Sequence, residues 1–450
     1  MRLPISTVLL LITATMIARA ATVAAQPIEG DYALFEDQTV AIRHDGARWT
    51  CAVADGPFHP MTAVNRSVYR VEALDATLSF IAGRRGGPDV LEMTRYGQAI
   101  PMPRTVESRP VVASPRRCVA TRELLDDLIP RLMILHSVPG VSVAVVEDRA
   151  VAWRRQYGLR QAGTDEKIDE NTLFEACSMS KPVFAYVVLQ LVEQGRLDLD
   201  RPLVEYLDEP YLSDDPRHEK ITARMVLCHS CGFPNWRKKG EPLRVKFEPG
   251  TRFEYSGEGF KYLQHVIERL TGTTLEKHAR RALLDPVGMK SSSFVWEKPY
   301  EQLAAAGHDE QGVVKTAKPR FLEANSAASL FTTPSEYALF QIEMMRPDRS
   351  AEHSLSRETI EKMLVRAFKA DGRKPVKRCS PATSDDVYFG LGWQIDATPL
   401  GDRIYHGGTN GSGFRCYNEF DPRRGSGLVL MTNGLSGNKL WEAVVERIAP

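Results

Sequence analysis

Two stretches of apolar residues recur at helical spacing in the middle of the chain. The first begins after Lys181, has Pro182 in its first turn, where a missing N–H costs little, and stops at Gly195. The second begins after Gly257. The apolar positions are Val183, Phe184, Val187, Val188, Leu191 and Val192, then Phe260, Leu263, Val266, Ile267 and Leu270. Residues three and four apart share one face of a helix, so each stretch predicts a helix that packs on a core.

Shorter apolar runs near both ends of the chain predict β-strands. Towards the C-terminus they cover residues 402–405, 414–420 and 427–431. In residues 26–104 they cover 32–35, 39–42, 50–53 and 78–81, separated by turn signals such as Asp45-Gly46 and Asp55-Gly56. Residues 105–117, with two prolines and four charges, are typical of a linker. This pattern predicts a small β-rich domain (26–104) ahead of a larger one (118–450).

Ser178-Met179-Ser180-Lys181 precedes the first predicted helix. Residues three apart lie on one helical face, so the Lys181 amine is expected within reach of the Ser178 hydroxyl. A serine hydroxyl is a weak nucleophile near neutral pH and needs a nearby base. The position at a helix N-terminus also favours negative charge on the reacting oxygen. Alone, such a set is also compatible with a capping serine and a solvated lysine.

Two further segments strengthen the catalytic interpretation. Residues 249–257 form a turn and a short extended run that ends on Tyr255-Ser256-Gly257. Near the C-terminus, His406-Gly407-Gly408-Thr409 follows the strand expected at 402–405. In order, the chain carries Ser-x-x-Lys, Tyr-Ser-Gly and His-Gly-Gly.

With these motifs the chain resembles the serine β-lactamase and penicillin-binding-protein superfamily, whose signature is S-x-x-K, S-D-N and K-T-G. It is closer to the class C β-lactamase-related serine hydrolases, where the second motif is Tyr-x-Asn and the third is often His-x-Gly. The resemblance spans residues 118–450 and includes 226–232, 262–264, 284–289, 330–334 and 390–393. It implies an α/β (α+β) fold: an antiparallel sheet flanked by helices, with an all-α lobe inserted between early and late strands. The preceding all-β domain is similar to the lipocalin-like modules attached to such hydrolases.

The resemblance also implies roles for individual residues. Ser178 would be the acylated nucleophile, and Lys181 and Tyr255 would share proton transfer. His406 would replace the usual lysine of the third motif. The backbone N–H groups of Ser178 and Thr409 would form the oxyanion hole, whose donors act on charge that develops in the tetrahedral state.

Three further positions are candidates for substrate binding. Gly407 and Gly408 would let a substrate lie close to the strand. Arg415 is either a partner for a substrate carboxylate or a residue on the solvent face of a strand. One position departs from the family pattern, since Gly257 replaces the asparagine that helps to hold an acylamide side chain in β-lactamases.

The substrate therefore stays open at the level of sequence. An ester or amide cleaved in the manner of an esterase or peptidase is the leading hypothesis, and a DD-carboxypeptidase or a weak class C-like β-lactamase is the alternative. A ligand-binding protein on a decayed hydrolase fold is the non-enzymatic alternative. The oligomeric state is not indicated.

Composition bears on the possible partners of the protein and on its location. The chain has 450 residues, 43% hydrophobic, and a formal net charge of +1, so a nucleic-acid partner is not indicated. Residues 1–25 combine Arg2, an apolar run and small residues, as signal peptides do, which predicts an exported, periplasmic or secreted protein. No later apolar run has the length of a membrane span.

Seven cysteines remain to be explained. Cys228 and Cys231 enclose His229, but no second Cys/His pair follows at zinc-site spacing, so we expect neither a metal nor a cofactor. The two cysteines are interpreted as small buried side chains or a local disulfide. Cys177, beside the candidate nucleophile, is expected to serve packing.

Overall fold

The computed structural model describes residues 28–83, 89–105, 122–212, 215–315, 318, 320–346, 348–377, 386–398 and 401–448. The chain divides into two compact units, residues 1–113 and 114–450. The signal peptide expected at 1–25 and most of the linker expected at 105–117 lie outside the described residues. No helix among the described segments is both long and apolar enough to cross a membrane.

The first unit is built from two antiparallel sheets, with strand orders β1-β2-β3-β4 and β5-β6-β7-β8-β9. Alternate residues of its strands are buried, which is why the sequence shows a period of two. A bridge between Tyr32 and Arg104 joins the first strand to the end of the last. The strands are β1 (Gly30–Ala33), β2 (Thr39–His44), β3 (Trp49–Val53), β4 (His59–Pro60), β5 (Thr62–Ala63), β6 (Val68–Val71), β7 (Ala76–Ile81), β8 (Val90–Arg95) and β9 (Gln98–Pro103).

The second unit contains an eight-stranded antiparallel sheet in the order β11-β10-β19-β18-β17-β16-β15-β14. A separate two-stranded pair is formed by β12 and β13. The strands are β10 (Gly140–Glu147), β11 (Ala150–Gly158), β12 (Phe174–Glu175), β13 (Phe331–Thr332), β14 (Phe368–Lys369), β15 (Val387–Phe389), β16 (Gln394–Asp396), β17 (Arg403–Thr409), β18 (Arg415–Asp421) and β19 (Ser426–Thr432).

Helices cover this sheet and fill the chain between its early and late strands. The first and last helices, α1 and α10, pack on each other, and α8 packs on β10 and β19. From α2 to α7 the chain forms a helical lobe. The helices are α1 (Arg122–His136), α2 (Ser180–Glu193), α3 (Ala223–Leu227), α4 (Gly257–Thr271), α5 (Leu275–Ala279), α6 (Asp285–Val287), α7 (Tyr300–Leu303), α8 (Pro334–Met345), α9 (Arg357–Met363) and α10 (Gly437–Arg447).

The two helices predicted from apolar spacing are α2 and α4. Helix α4 begins after Ser256, whose hydroxyl accepts a hydrogen bond from the N–H of Gly259, and ends at Gly272 in the left-handed conformation. Helix α2 is buried on every side from Ser180 to Leu191, because it runs through the main core instead of covering it. Lys181, the charged residue of this buried stretch, is thereby placed in apolar surroundings.

The late strands differ from the prediction at one place that matters for the site. The strand predicted at 402–405 continues to Thr409, because residues 404–409 all pair with β18. His406, Gly407 and Gly408 therefore lie within β17 and do not follow it.

We expect a chain lacking residues 26–110 to fold, because the eight-stranded sheet and the main core use only residues beyond 113. The truncated protein should show one cooperative thermal transition and the far-ultraviolet circular dichroism of a mixed α/β unit. Aggregation, or a broad transition without cooperativity, would mean that the first unit completes the fold of the second. The full-length chain is the control.

Candidate active site

Ser178 lies in a 3-10 turn, Cys177–Met179, that leads directly into α2. The backbone of Cys177 has a φ of +54°, in the left-handed region that non-glycine residues rarely adopt. Ser180 fixes this turn, since its hydroxyl donates to the carbonyl of Cys177 at 2.6 Å and accepts from the N–H of Leu330 at 3.0 Å. The Ser178 hydroxyl is thus presented at the start of a buried helix on a constrained backbone.

Lys181 is completely buried one turn further along, yet its amine faces Ser178. Its Nζ donates to Ser178 Oγ at 3.2 Å and to the carbonyl of Ala327 at 2.7 Å. Burial lowers the pKa of Lys181 to about 7; the nearby Cys177 opposes this shift and the positive charge of Arg373 adds to it. A substantial fraction of this amine is neutral near pH 7 and can accept a proton from the serine.

Tyr255 completes the group around the serine. Lys181 Nζ lies 4.7 Å from the centre of its ring, and its hydroxyl is hydrogen-bonded to the Ser178 side chain. Removal from water raises the pKa of Tyr255 to about 12, against the opposing effects of Ser178 and Arg373. The phenol therefore stays protonated near neutral pH, which suits it to give a proton and leaves the base role to Lys181.

His406, on β17, is a neutral side chain in this site. Its Nδ1 donates to the carbonyl of Gly407 at 2.7 Å, so Nε2 carries the lone pair. Burial, with the nearby charge of Lys181, lowers the pKa of His406 to about 3. His406, which the resemblance to the family put in place of the third-motif lysine, therefore supplies no positive charge here.

His229 is a site residue to which the sequence analysis gave no role. Its ring stacks on that of Tyr255, with 4.1 Å between centroids and 29° between planes. Its Nδ1 accepts the N–H of Ser256 at 3.0 Å, and burial holds the pKa of His229 well below its usual range. By stacking on the ring of Tyr255, His229 helps to fix the orientation of that ring. The one sequence signal for this role is that residues 226–232 match the family pattern.

Strand β17 is paired on both sides over its first residues and on one side only near Ser178. It pairs with β16 only through Arg403, Ile404 and Tyr405, whereas its pairing with β18 continues to Thr409. Among the described strands, none pairs with residues 406–409 on the β16 side. The backbone there is open towards the cleft, as an edge strand is.

Thr409 and the two glycines occupy this open stretch. Thr409 is exposed and lines the same cleft as Ser178 and Gly407, in keeping with the backbone N–H groups expected to form an oxyanion hole. Gly408 has a different reason for being glycine, since a Cβ there would lie 2.3 Å from the carbonyl oxygen of Ala176. A Cβ on Gly407 would meet only a carbonyl oxygen 3.8 Å away. Gly408 thus seats the strand against the nucleophile segment, while Gly407 faces the cleft.

The structure does not bring Arg415 into the cleft. Its Nη1 donates to the carbonyls of Asn410 at 2.7 Å and Phe414 at 2.8 Å, which fixes the turn between β17 and β18. That turn is tied to the nucleophile segment by the buried Glu175, which accepts hydrogen bonds from the side chains of Asn410 and Ser412. Arg415 supports this turn and is not placed to meet a substrate.

The missing asparagine of the second motif has a structural counterpart. A Cβ on Gly257 would lie 2.7 Å from Cη2 of Trp236 and 2.8 Å from the carbonyl oxygen of Asn235. The indole thus occupies the volume into which an asparagine side chain would extend. The Asn235 carboxamide lines the cleft instead, with Oδ1 accepting from the N–H of Gly257 at 3.1 Å.

The cleft in front of Ser178 has a volume of about 780 Å³. One wall is the segment from Arg373 to Lys377, which the sequence analysis did not consider. The lining also includes Trp441, Glu442 and Glu446 of α10. No motif marks either part of the lining, because they come together only through the fold of the sheet.

The five cysteines that lie in the described residues give no further chemistry at this site. Cys228 and Cys231 are free and buried, as are Cys51, Cys177 and Cys416. Of the two interpretations given from sequence, small buried side chains or a local disulfide, Cys228 and Cys231 therefore match the first. Within the described parts of the chain, no three His, Cys, Asp or Glu side chains are grouped so as to hold a metal ion.

Comparison with known proteins agrees with this geometry. A family model described as Beta-lactamase matches residues 125–449. The chain therefore belongs to the β-lactamase family of serine hydrolases and penicillin-binding proteins.

Individual relatives are distant. Protein flp of Staphylococcus aureus (strain MRSA252) is 22% identical over 331 residues, covering 70% of this chain and 63% of flp. Esterase EstB of Burkholderia gladioli is 29% identical over 217 residues, covering 42% of this chain and 55% of EstB. The matched part thus spans less than two thirds of the length of either relative.

Among solved structures, a class C β-lactamase is similar, with a TM-score of 0.59 and 20% identity over 72% of this chain and 94% of that one. The similarity shows a shared fold. The resemblance to the β-lactamase and penicillin-binding-protein superfamily is confirmed by the family model, and the mixed antiparallel fold predicted from sequence is confirmed by this shared fold.

The two glycines of the third motif give a matched pair of variants. We expect Gly408→Ala to lower the free energy of unfolding by about 1–3 kcal/mol, because the new methyl group collides with the carbonyl of Ala176. Gly407→Ala, with open space around it, should change the stability by less than about 0.5 kcal/mol. Chemical denaturation of both variants measures the difference. Equal losses would contradict the close approach described for Gly408.

The lowered pKa of Lys181 predicts a pH dependence. A neutral amine is needed to deprotonate Ser178, so labelling of Ser178 by a fluorophosphonate probe should rise with pH through about 7 and be lost on the acid side. Lys181→Arg should label about 10²–10⁴-fold more slowly, because guanidinium stays protonated. If the arginine variant is labelled as fast as the unmodified protein, Tyr255 and not Lys181 is the base. Circular dichroism of the variant controls for folding.

Proposed function

We propose that this chain is an exported serine hydrolase that cleaves an ester or amide through an acyl-enzyme on Ser178. The observation that carries the proposal is the group formed by Ser178, Lys181 and Tyr255, in which a buried amine with a pKa of about 7 contacts the serine hydroxyl. Family membership and the similarity to an esterase support the reaction class. Export rests on the signal-peptide pattern of residues 1–25, and residues 26–104 are proposed as an accessory module.

The acylation step follows from these positions. The neutral amine of Lys181 takes the proton of Ser178 as Oγ bonds to the substrate carbonyl carbon, whose oxygen becomes an oxyanion between the N–H groups of Ser178 and Thr409. The bond to the leaving oxygen or nitrogen then breaks. The Lys181 ammonium returns its proton through the Tyr255 hydroxyl to the leaving atom, so that Tyr255 ends the step protonated.

Deacylation uses the same groups in reverse order. Water gives a proton to the Tyr255 and Lys181 pair as its oxygen attacks the acyl carbon. The second tetrahedral intermediate collapses with release of the carboxylic acid, and Ser178 Oγ recovers a proton. His406 stays neutral throughout, so proton transfer does not depend on its titration.

Esters are proposed as the preferred substrates. Gly257 removes the amide that would pair with an acylamide group, and the indole of Trp236 fills its place. A site without that partner discriminates poorly for such substrates. Penicillin turnover is accordingly expected to be slow.

An amide substrate is the second candidate, and one observation favours it. The Asn235 carboxamide lies in the cleft with Ser178 and Tyr255. The Asn235 side chain therefore supplies an amide near Gly257, where the second motif of the family has an asparagine. A DD-carboxypeptidase or a weak β-lactamase would use this group to hold the acyl side of its substrate.

A binding protein on an inactive hydrolase fold is the non-enzymatic alternative. The intact hydrogen bond between Lys181 and Ser178 argues against it, because a decayed site has no need to keep an amine buried beside a serine. Burial of an amine without a carboxylate is destabilising, so a binding function alone does not explain it.

Ser178→Ala is expected to abolish hydrolysis of short p-nitrophenyl esters and to prevent any acyl adduct on the protein. Intact-mass measurement after mixing with esters, D-Ala-D-Ala peptides and nitrocefin identifies which substrate acylates the serine. A variant that retains full esterase activity would refute Ser178 as the nucleophile. Rapid nitrocefin turnover without esterase activity would favour the second candidate, and the absence of every adduct would favour the binding protein.

A further inference from the structure

Glu175 is a buried acidic side chain to which the acylation mechanism gives no role. It lies in β12, just before the turn that carries Ser178, and is completely buried. Its carboxyl group makes no ion pair with any described residue, and its partners are the neutral side chains of Asn410 and Ser412. Burial raises the pKa of Glu175, against these two hydrogen bonds, which favour the carboxylate. A buried carboxylate without a cation is costly to the fold, so the contacts that keep it there need an explanation.

The carboxyl group of Glu175 contacts the turn that follows β17. Its Oε1 accepts a hydrogen bond from Nδ2 of Asn410, and its Oε2 accepts one from Oγ of Ser412 at 2.6 Å. A longer contact, 3.4 Å, joins the same Nδ2 to the carbonyl oxygen of Ala328. Asn410 directly follows Thr409, the last residue of β17. The backbone of Thr409 is therefore tied to Glu175 through its neighbour in sequence.

The backbone on either side of Glu175 adds to this attachment. The carbonyl oxygen of Glu175 accepts a hydrogen bond from the thiol of Cys177 at 3.3 Å, within the turn that presents the nucleophile. The carbonyl of Ala176 lies so close to β17 that a Cβ on Gly408 would be 2.3 Å from its oxygen. The nucleophile segment and the end of β17 are thus fixed against each other on both sides of Thr409.

These contacts join the two backbone groups that the mechanism needs together. In the proposed function, on which this inference rests, the N–H groups of Ser178 and Thr409 hold the oxyanion, and each must lie about 3 Å from the same oxygen. The two groups belong to separate elements, the turn before α2 and the end of β17. We propose that Glu175 is a positioning residue that sets the distance between the two oxyanion donors by holding Asn410, and with it Thr409, against the nucleophile segment.

The chemistry of the contact explains why an acid occupies this position. Nδ2 of Asn410 and the hydroxyl of Ser412 both approach as donors, so each needs an acceptor oxygen. A carboxylate supplies both oxygens, and hydrogen bonds to an ionised acceptor are shorter and stronger than those between neutral groups. Accurate placement matters here, because a misplacement of about 1 Å in a catalytic site costs about a hundredfold in rate.

An ester and its thiono analogue report on the oxyanion donors. Phenyl acetate and phenyl thionoacetate share a leaving group and differ only in the atom double-bonded to the acyl carbon, oxygen or sulfur. Sulfur is larger and a weaker acceptor, so N–H donors placed for oxygen stabilise it poorly. The ratio of kcat/KM for the oxygen ester to that for the sulfur ester therefore measures how well the donors fit. A change at Lys181 or Tyr255 slows both esters alike.

Four variants separate the contact from its surroundings. Asn410→Asp places a second carboxylate against Glu175, and adding Glu175→Gln to it exchanges the two groups, so that an amide again donates to a carboxylate. Asn410→Ala removes the contact without adding charge. Ser412→Ala is the matched control, since it removes a hydrogen bond to the same carboxyl group and leaves Asn410 in place. Circular dichroism and thermal unfolding establish that each variant is folded.

We expect Asn410→Asp and Asn410→Ala to lower the ratio of oxygen to sulfur ester by about tenfold, a part of the roughly 10²–10³-fold that one oxyanion donor contributes. Adding Glu175→Gln to Asn410→Asp should return the ratio to within about threefold of the full-length protein, and Ser412→Ala should change it by less than about threefold.

An unchanged ratio in the Asn410 variants overturns the proposal, whether or not both esters are slowed. A fall in Ser412→Ala as large as that in Asn410→Ala also overturns it, because the buried carboxyl group and not its contact with Asn410 would then be responsible. So does a folded double variant that shows no recovery. If a charged variant does not fold, the comparison of Asn410→Ala with Ser412→Ala decides the question.

Failure of this inference can be told apart from failure of the proposed function. Turnover of phenyl acetate through Ser178, with a ratio that does not respond to Asn410, rejects the role of Glu175 and leaves the hydrolase intact. Absence of turnover and of any acyl adduct with both esters rejects the hydrolase, and the inference with it.

Discussion

Lys181 carries its amine into the core at the start of α2 and has no carboxylate partner among the described residues. An ammonium in such surroundings is costly, and the lower-energy response is to release the proton. The apolar environment of α2 thus lowers the pKa of Lys181 far enough for its amine to accept a proton near neutral pH. Neighbouring groups preserve this state, because His406 and His229 are neutral and Tyr255 keeps its proton. A carboxylate introduced beside Lys181 would restore the ammonium.

This arrangement includes a strained backbone, a buried carboxyl group and a position that only glycine fits. Cys177 adopts a left-handed backbone, Glu175 is buried, and β17 lies so close to Ala176 that only glycine fits at position 408. The surrounding core is large enough to support them, since α2 is enclosed along most of its length. The strain is concentrated in the few residues on either side of Ser178, as is common where a reactive group must be held in one orientation.

Sequence reasoning succeeded where the signal was local. Apolar spacing located α2 and α4, and motif order located Ser178, Lys181, Tyr255 and His406, which the fold gathers around one cleft. Sequence reasoning did not predict contacts between residues that are far apart in the chain. Nothing in a single sequence places the loop of Arg373 over Tyr255, or Trp236 in the space beside Gly257. Arg415, for which the sequence left two interpretations open, donates to the backbone carbonyls of a turn, a role that no sequence motif indicates.

The partial pairing of β17 has a further consequence. The strand is interior to the sheet over Arg403–Tyr405 and an edge over residues 406–409. An exposed edge normally invites another chain to add to the sheet, and proteins protect such edges to avoid aggregation. Here the edge is recessed between the Arg373 loop and α10, so the walls of the cleft shield it from a second folded protein. The backbone of residues 406–409 is thus left without a partner strand and is still reached only through the cleft, so an extended chain would have to enter the cleft to lie beside it.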